Sequence, residues 1–227
     1  MQQNLDNLET MRRAWDRMSS NYTDHTDLHP ADLHYQELAK QFPMTTSSLR
    51  LLDLGSGLGY ALDSILVRIP NAIVTCLDLS DQMLKGLRQR LIKYSSQIET
   101  RNESYVTANL GENQYDYIIS SFTLHHLPKD TKLAVFKKIQ LALDAKGFYV
   151  ELDGVASLDQ EANSQKTFKQ YVAQRQGADL GEWNFDLLLS ISAEKNLMDR
   201  AGFSSVTMPW IQTDETGAGR AIFVAEK

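Results

Sequence analysis

Apolar residues recur at helical spacing along the first part of the chain. Five of them fall on one helical face: Leu5, Leu8, Met11, Trp15 and Met18. This period predicts a helix over residues 5–22. A break follows at His29-Pro30, and residues 32–42 have the pattern of a second helix that ends at Pro43. Two helices therefore precede the first predicted strand.

From residue 49 onward, short apolar runs alternate with amphipathic segments. The runs predict five strands, over residues 49–54, 72–79, 104–110, 115–122 and 148–152. Helices are predicted over residues 60–69, after the capping residue Ser80, and along a stripe of Leu133, Phe136, Ile139 and Leu143 that ends at Gly147. Strands that alternate with helices predict a three-layer α/β sandwich with a mostly parallel sheet.

The alternation ends after the fifth predicted strand. Residues 154–186 have the pattern of a helix followed by an irregular aromatic stretch, which is typical of an insertion. Residues 193–200 predict a helix with Gly202 as its C-terminal cap. Two more strands are predicted over residues 205–210 and 220–225. Because the turn between them is short, we expect an antiparallel hairpin at the end of the chain.

The charge balance disfavours nucleic acid as a partner. The chain has 23 basic and 29 acidic residues, a formal net charge of −6, so its surface repels phosphate on average.

No run approaches the roughly 20 apolar residues of a membrane span. The first 17 residues are polar and lack the apolar stretch of a signal peptide. The single cysteine, Cys76, lies in an apolar run, which indicates a reducing compartment and not a disulfide framework. We therefore expect a cytoplasmic protein with no membrane partner.

The strongest chemical signal is the segment Asp53-Leu54-Gly55-Ser56-Gly57-Leu58-Gly59, which joins a predicted strand to a helix. Its glycines allow a sharp turn and let a ligand approach the main chain. The dinucleotide fingerprint is G-x-G-x-x-G, but here Tyr60 takes the place of the third glycine. Asp53 would repel a pyrophosphate and suits a ligand with sulfonium and ammonium charges. The segment favours an amino-acid-bearing nucleoside, although an ordinary glycine-rich turn has the same composition.

Asp78 is the second signal, because it ends the second predicted strand shortly after the glycine segment. A carboxylate in that place accepts hydrogen bonds from both hydroxyls of a ribose. Folds that bind nicotinamide dinucleotides use the same device, so Asp78 indicates a ribose and not a particular cofactor. The alternative is a carboxylate that only caps the following helix.

Four segments together resemble the Rossmann-like S-adenosylmethionine-dependent methyltransferases. They are LLDLGSGLGY, CLDLSDQML, YDYIISSFTLHHL and KNLMDRAGF. The resemblance extends over about residues 10–227. It implies a Rossmann-like three-layer α/β sandwich with a seven-stranded, mostly parallel sheet and an antiparallel C-terminal hairpin strand. It also implies S-adenosylmethionine as cofactor and S-adenosylhomocysteine as product.

The resemblance also implies roles for individual residues. Gly55, Ser56 and Gly57 would contact the methionyl part of the cofactor, within a loop bounded by Asp53 and Gly59. The nucleoside would be held by Asp78 at the ribose, Leu79 and Met83 at the adenine, and the Leu110 N–H at the ring. Ser121 would contact the amino-acid end, and Tyr22 would close over the cofactor. Asn109 stands where the family often has an aspartate that contacts the adenine amino group, so this position departs from the pattern. Met83 is equally compatible with a plain core position.

His125 and His126 are the candidates for a general base. They follow the fourth predicted strand, at the edge where parallel sheets bind ligands, and the unperturbed pKa of histidine suits proton transfer. The same pair resembles a structural feature of the family at a helix entry. No metal is expected, because no Cys, Asp or Glu lies at ligand spacing nearby in the sequence. His25, His29 and His34 either face the substrate or are solvated.

We expect a single domain over residues 1–227, in which residues 1–45 and residues 154–186 form a cap over the substrate. Within the second of these segments, Tyr171, Trp183 and Phe185 either line an apolar acceptor pocket or anchor the segment to the sheet. The expected partner is a small-molecule methyl acceptor, and a homodimer is compatible with the sequence.

The expected reaction is methyl transfer to oxygen or nitrogen of that acceptor. One alternative is an enzyme that carboxylates S-adenosylmethionine, for which Arg175 or Arg200 would hold the added carboxylate. A second is a nicotinamide-dependent oxidoreductase, which Asp53 and Tyr60 argue against. A third is a module that binds S-adenosylmethionine without catalysis.

Overall fold

The computed structural model describes residues 2–19, 32–174 and 186–227, with the backbone alone for residues 2–7. Its centre is one seven-stranded sheet in the order β3-β2-β1-β4-β5-β7-β6. The strands are β1 (Arg50–Leu54), β2 (Ile73–Asp78), β3 (Ile98–Asn102), β4 (Tyr115–Ser121), β5 (Leu143–Val155), β6 (Ser205–Thr213) and β7 (Gly219–Glu226). Strands β1 to β5 are parallel, and β7 runs antiparallel between β5 and β6. The expected fold class is confirmed.

Seven α-helices are found in the described parts of the chain. They are α1 (Gln2–Met18), α2 (Leu33–Ala39), α3 (Tyr60–Arg68), α4 (Asp81–Arg90), α5 (Lys129–Ala142), α6 (Leu158–Gln174) and α7 (Ile191–Ala201). Two short 3₁₀ turns lie at Ile92–Tyr94 and Leu124–His126. No helix among the described residues combines the length and the apolar character needed to cross a membrane.

Two apolar cores lie on opposite faces of the sheet, so the sheet and the helices on its two sides form three layers. One core packs Phe136 of α5 and Met198 of α7 against the sheet. The other core contains Leu38 of α2, Leu62 of α3 and Leu87 of α4. Because successive side chains of a strand point to opposite faces, a strand covered on both sides is apolar throughout.

Two helix termini were visible in the sequence. Ser80 caps α4, and its hydroxyl accepts a hydrogen bond from the Met83 N–H at 3.1 Å. Gly202 ends α7 in the left-handed region at φ 98°. Both caps were predicted from the residue types.

The predicted third strand was wrong. Residues 104–110 form turns, in which the Ser104 carbonyl accepts hydrogen bonds from the N–H groups of Thr107 and Ala108. The strand is Ile98–Asn102, which pairs with β2 alone. Because an edge strand has no second neighbour and is only partly covered, its sequence is polar and gives no apolar run.

The predicted end of the fifth helix was also wrong. Helix α5 ends at Ala142, and Leu143 is already extended at φ −64° and ψ 145°. Strand β5 therefore begins within the predicted helix and continues through Gly147. Leu143 is buried as a strand residue opposite Tyr115, where the pairing with β4 shifts register.

The remaining predicted elements agree in type with the structure. Helix α1 ends at Met18, short of the predicted residue 22, and α2 ends at Ala39. The segment after the fifth strand contains α6, as expected, while Gly154 belongs to β5. Tyr22, His25 and His29 lie outside the described residues, as do Arg175, Trp183 and Phe185.

The order of the strands creates a binding crevice. The chain runs from β1 to β2 and β3 on one side, and then crosses to β4 on the other side of β1. The loops that follow β1 and β4 therefore leave the sheet in opposite directions. A crevice at the carboxyl ends of these two strands is where open parallel sheets bind ligands.

Candidate functional site

A cleft with about 760 Å³ of empty space, including its opening to solvent, lies at the carboxyl ends of β1, β2 and β4. This size suits a small molecule. Helix α1, the loop after β1 and the ends of β2 and β4 supply most of its wall. Its lining residues are Leu8, Met11, Trp15, Tyr35, Gly55, Ser56, Gly57, Leu58, Tyr60, Asp78, Leu79, Met83, Ser104, Tyr105, Val106, Ser121, Phe122 and Thr123.

The loop after β1 needs glycine at two places for different reasons. A Cβ on Gly55 would lie 2.2 Å from Thr123 Oγ1, and Gly55 has φ +64°. The loops after β1 and β4 therefore touch at this point. Gly57 has φ +51°, but nothing lies within 4 Å of a Cβ placed there. The main chain at Gly57 is thus open to the cleft, as a close approach by a ligand requires.

Asp78 directs a buried carboxylate to the cleft. One oxygen accepts a hydrogen bond from the Gly57 N–H at 2.8 Å, and the other accepts one from the Ser80 N–H at 2.8 Å. Burial raises the pKa of Asp78 to about 6, against the effect of these two hydrogen bonds. Each carboxylate oxygen has further lone pairs, so the group can accept hydroxyl protons from a ligand.

Asp53 lies behind the loop and does not line the cleft. The residue is almost fully buried, and its Oδ1 has no hydrogen-bond partner within the described part of the chain. Burial, together with the nearby charge of Asp78, raises the pKa of Asp53 well above its usual value. A ligand in the cleft would therefore meet the main chain of the loop and not the Asp53 carboxyl group.

Helix α1 covers the cleft, and its Asp16 and Trp15 contact the rest of the fold. The Ser80 hydroxyl donates a hydrogen bond to Asp16 Oδ1 at 2.6 Å. The Trp15 ring lies 5.3 Å from the His126 ring. Leu8, Met11 and Trp15 line the cleft from the same helix. The helix thus forms one wall of the site.

Most of the predicted cofactor-binding residues come together in this cleft. Those that line it are Gly55, Ser56, Gly57, Asp78, Leu79, Met83 and Ser121. Gly59 does not line it. Gly59 precedes α3 at φ 73°, and a Cβ there would lie 3.0 Å from Leu87. The structure therefore gives Gly59 a role in packing α3 against α4.

Asn109 and Leu110 are not brought to the cleft. The Asn109 side chain is exposed and accepts a hydrogen bond from the Gly111 N–H at 2.9 Å, while Leu110 is buried in the core. The cause is the position of β3, which ends at Asn102 and not at residue 110. The residues that follow the true strand end, Ser104, Tyr105 and Val106, line the cleft instead. Sequence reasoning missed them because it misplaced the strand.

His125 is fixed between two carboxylates. Its Nδ1 lies 2.5 Å from Asp153 Oδ1, and its Nε2 lies 3.5 Å from Asp186 Oδ1. Burial alone would lower the pKa of His125, but the charge of Asp153, with a smaller effect of Asp186, raises it to about 9. Asp153 is itself buried, and the charge of His125 lowers the pKa of Asp153 in spite of this burial.

His126 lies beside this pair and is packed against the cleft wall. Its Nδ1 is 3.4 Å from Asp186 Oδ1. Burial and the charge of His125 lower the pKa of His126. Hydrogen bonds from both histidines hold the pKa of Asp186 well below its usual range. Neither histidine is among the residues that line the cleft.

The far side of the cleft contains aromatic residues that sequence reasoning missed. Phe122 lies at its wall, and the His34 ring packs against the Phe122 ring at 5.2 Å. The Arg220 guanidinium lies 5.5 Å from the centre of the same ring. Burial and the charge of Arg220 lower the pKa of His34 to about 4. His34 is therefore a buried residue of α2, while Tyr171 on α6 does not line the cleft.

Comparison with known proteins finds similarity to methyltransferases and to one related synthase. A family model described as a methyltransferase domain matches residues 52–149. The malonyl-[acyl-carrier protein] O-methyltransferase of Bacillus cytotoxicus is 24% identical over 133 residues, which are 58% of this chain and 45% of that protein. The carboxy-S-adenosyl-L-methionine synthase of Haemophilus ducreyi is 26% identical over 199 residues, which are 82% of this chain and 79% of that protein.

Solved structures share the fold at low sequence identity. A putative O-methyltransferase from Nostoc punctiforme has a TM-score of 0.67 at 18% identity, over 94% of this chain and 60% of that one. The Haemonchus contortus phosphoethanolamine N-methyltransferase 2, solved with S-adenosyl-L-methionine, has a TM-score of 0.62 at 17% identity. That match covers 85% of this chain and 52% of the other. The chain thus spans about half to four fifths of the proteins it resembles here.

Proposed function

We propose that this chain, which belongs to the S-adenosylmethionine-dependent methyltransferases, transfers a methyl group to a small-molecule acceptor. The observation that carries the proposal is the cleft in which Asp78 and the open main chain of Gly57 face a set of apolar side chains. When bound, S-adenosylmethionine supplies a methyl carbon that its sulfonium charge makes electrophilic.

The residues of the cleft fit this cofactor. In this proposal the Asp78 carboxylate accepts hydrogen bonds from the two ribose hydroxyls, and Leu79 and Met83 contact the base, because all three residues line the cleft. Asp53, whose Oδ1 has no hydrogen-bond partner in the described part of the chain, lies behind the loop that borders the amino-acid end. In this proposal the backbone of Gly57 and of Ser121 borders that end, because both line the cleft.

The acceptor side of the cleft suits a small, largely apolar molecule. Aromatic residues line it from three elements: Trp15 from α1, Tyr35 from α2, and Phe122 after β4. No lysine or arginine is among the lining residues that the structure describes. Such a surface excludes water and aligns the acceptor oxygen or nitrogen, and alignment alone contributes about 7–11 kcal/mol in well-oriented reactions.

We propose that neither histidine acts as a general base. His125 and His126 do not line the cleft, and the His126 ring packs against Trp15, which does line it. A general base has to reach the proton that it removes, directly or through one water. The test is the rate of the His126→Ala variant once an acceptor is known. A rate lowered by about 10²-fold or more with unchanged cofactor affinity would restore the base role.

Calorimetric titration of the full chain with S-adenosylmethionine, S-adenosylhomocysteine and NAD tests the cofactor site. We expect both adenosyl ligands to bind and NAD not to bind. The Asp78→Ala variant is the matched control, because its loss of binding assigns the heat to this cleft. Binding of NAD alone would contradict the proposal and would indicate hydride transfer.

A second candidate is an enzyme that carboxylates S-adenosylmethionine. The similarity to the Haemophilus ducreyi synthase, which covers 82% of this chain, favours it. This second candidate function requires a cationic side chain that binds the added carboxylate. Arg200 lines a separate surface cleft on α7, so it is not placed for this role. Arg220, stacked on the cleft-lining Phe122, is better placed.

The mass of the nucleoside that copurifies with the protein separates the two candidates. A methyltransferase retains S-adenosylmethionine or its demethylated product, whereas the second candidate retains the carboxylated form. Loss of the carboxylated form in an Arg220→Lys variant would assign the arginine. A bound nucleoside without the carboxylate favours the first candidate.

We propose that the chain forms one domain with a two-part cap. The contacts of α1 with the cleft support the N-terminal part, and the position of Asp186 beside the histidines supports the part that includes residues 154–186. A homodimer and a cytoplasmic location remain proposals. Sedimentation equilibrium of the purified chain tests the dimer.

A further inference from the structure

Two adjacent histidines and one distant aspartate meet beside the cleft. His125 and His126 lie in the 3₁₀ turn after β4, and Asp186 lies before α7. One potential ligand atom from each of the three residues lies within 4.8 Å of the other two. We propose that these three residues bind a divalent transition-metal ion of the zinc class. This proposal goes beyond the methyl-transfer function and does not depend on it.

The distances suit metal ligands. Zinc binds histidine nitrogen at about 2.0–2.1 Å in tetrahedral geometry, which places neighbouring ligand atoms about 3.4 Å apart. Asp186 Oδ1 lies 3.5 Å from His125 Nε2 and 3.4 Å from His126 Nδ1. Both distances from the carboxylate to the imidazoles are therefore already close to those around a bound ion.

The surroundings of His125 match those of a metal-binding histidine. Such a histidine donates its second ring N–H to a carboxylate or carbonyl, which fixes the ring and leaves the other nitrogen for the metal. Here Asp153 Oδ1 accepts from His125 Nδ1, and Nε2 points to Asp186 and releases its proton to solvent when the ion binds. Asp153 is held in turn by hydrogen bonds from the backbone N–H groups of His125 and Gly154. The orienting carboxylate is thus built into the fold.

The third residue is placed by the backbone next to it. The Leu187 N–H donates a hydrogen bond to the His125 carbonyl at 2.7 Å, and Leu187 itself is buried. This bond holds the Asp186 main chain against the histidine turn. The Asp186 side chain is 63% exposed, so an ion has a path from solvent.

The ligand set selects the class of ion. Two imidazoles and a carboxylate form the three-ligand set of catalytic zinc sites, in which a further position holds water or substrate. Magnesium and calcium prefer oxygen ligands and would bind weakly here. The charges of Asp186 and Asp153 offset that of the ion. The site borders Trp15, and an ion there would connect the cap segment before α7 to the turn after β4.

Titration of the untagged full chain with Co²⁺ tests the proposal, with Zn²⁺ as competitor. We expect one Co²⁺ per chain with visible absorption, displacement by Zn²⁺ and no displacement by Mg²⁺. The decisive variant is Asp186→Asn, because this exposed side chain can be changed without disturbing the core. Its affinity for Co²⁺ should fall by about 10–100-fold or more, since loss of an outer-shell partner alone has that effect.

Asp199→Asn is the matched control, because Asp199 is an exposed aspartate on α7 outside the cluster. It should bind Co²⁺ like the unmodified chain. A His126→Gln variant should lose the visible absorption while its circular dichroism stays unchanged. Absence of Co²⁺ binding by the unmodified chain, or equal affinity in Asp186→Asn, overturns the proposal.

Discussion

Asp78 and Asp153 occupy similar places in the sheet but different electrostatic surroundings. Each lies near the carboxyl end of a parallel strand, and each is almost fully buried. Asp78 accepts hydrogen bonds from backbone N–H groups, and burial raises its pKa to about 6. Asp153 faces His125, whose charge lowers the pKa of Asp153 against the effect of burial.

The difference separates a carboxylate that stabilises the fold from one that is available to a ligand. A buried charge is tolerated when a counter-charge and hydrogen bonds compensate for the lost water. Asp153 has both within the protein. Asp78 has the hydrogen bonds, and its carboxylate borders the cleft. We infer that Asp78 receives its further partners from the ribose of the cofactor, so substitution of the two residues should affect different measurements.

The largest expected effect is a loss of unfolding free energy in the Asp153→Ala variant. The change removes the buried counter-charge of His125, so that only the exposed Asp186 remains beside it, and leaves two backbone N–H groups without their acceptor. Breaking a buried pair in this way typically costs about 3–5 kcal/mol of unfolding free energy. Urea denaturation measures it. Asp199→Ala on the exposed face of α7 is the control, and a loss below about 1 kcal/mol for Asp153→Ala would remove the contrast with Asp78.

The second effect concerns binding at Asp78. Asp78→Ala should weaken the affinity for S-adenosylmethionine by about 10–100-fold, because hydrogen bonds to a charged group contribute about 1.5–3 kcal/mol. The circular dichroism spectrum should remain that of the unmodified chain. Isothermal titration calorimetry measures the change. Unchanged affinity in this variant would show that the ribose is bound elsewhere.

The third effect is a pH dependence that Asp78, unlike Asp153, should show because its pKa is raised and that of Asp153 is lowered. Its folded-state pKa of about 6 lies above the usual value, so the folded protein binds a proton more tightly than the unfolded one. The contribution of Asp78 to stability is therefore present at low pH and is lost as pH rises through about 6. Binding has the opposite trend, because the ribose needs the ionised form.

Calorimetry between about pH 5 and about pH 8 measures this trend, with up to a tenfold loss of affinity for each pH unit below the pKa. Two other acids lie near Asp78: the charge of Asp16 raises the pKa of Asp78, and the charge of Asp78 raises that of Asp53. The Asp78→Asn variant is the control, since it removes the titrating group. A slope that persists in Asp78→Asn would assign the dependence to one of the other acids.

The smallest effect is expected at the contact of α1 with the end of β2. Asp16→Ala removes the acceptor of the Ser80 hydroxyl and so loosens the helix over the cleft. A single hydrogen bond contributes about 0.5–1.5 kcal/mol, which predicts an affinity about 2–10-fold lower. Glu9→Ala is the control, because Glu9 on the same helix pairs with Arg12 and Arg13. Equal affinities in both variants would show that α1 is not tied to the site through Asp16.

The sequence predicted the central strands because burial on both faces leaves an apolar run. Leu51 and Leu52 of β1 are fully buried, yet they belong to cores on opposite faces of the sheet. Strand β3 has one neighbouring strand and the sequence Ile-Glu-Thr-Arg-Asn, so it carries no such signal. The resemblance implied adenine contacts at Asn109 and Leu110, within the misplaced strand, and neither residue lines the cleft.

The site was predictable where its residues are close together in sequence. The loop from Gly55 to Gly57 and the nearby Asp78 line one cleft, as their residue types indicated. The contact of Asp186 with His125 and His126 was not visible, because about 60 residues separate them and only the fold brings them together. The expectation of no metal rested on neighbours in the sequence alone, and the structure supplies a neighbour from elsewhere.

Helix α1 is synthesised before the surface against which it packs. The Ser80 hydroxyl that binds Asp16 lies 64 residues further along the chain, and the ring that neighbours Trp15 belongs to His126, beyond β4. An isolated helix of this length is only marginally stable in water. On the ribosome, α1 must therefore remain without its docking surface while the first four strands emerge. The cleft is thus completed by a segment that is made before its other walls.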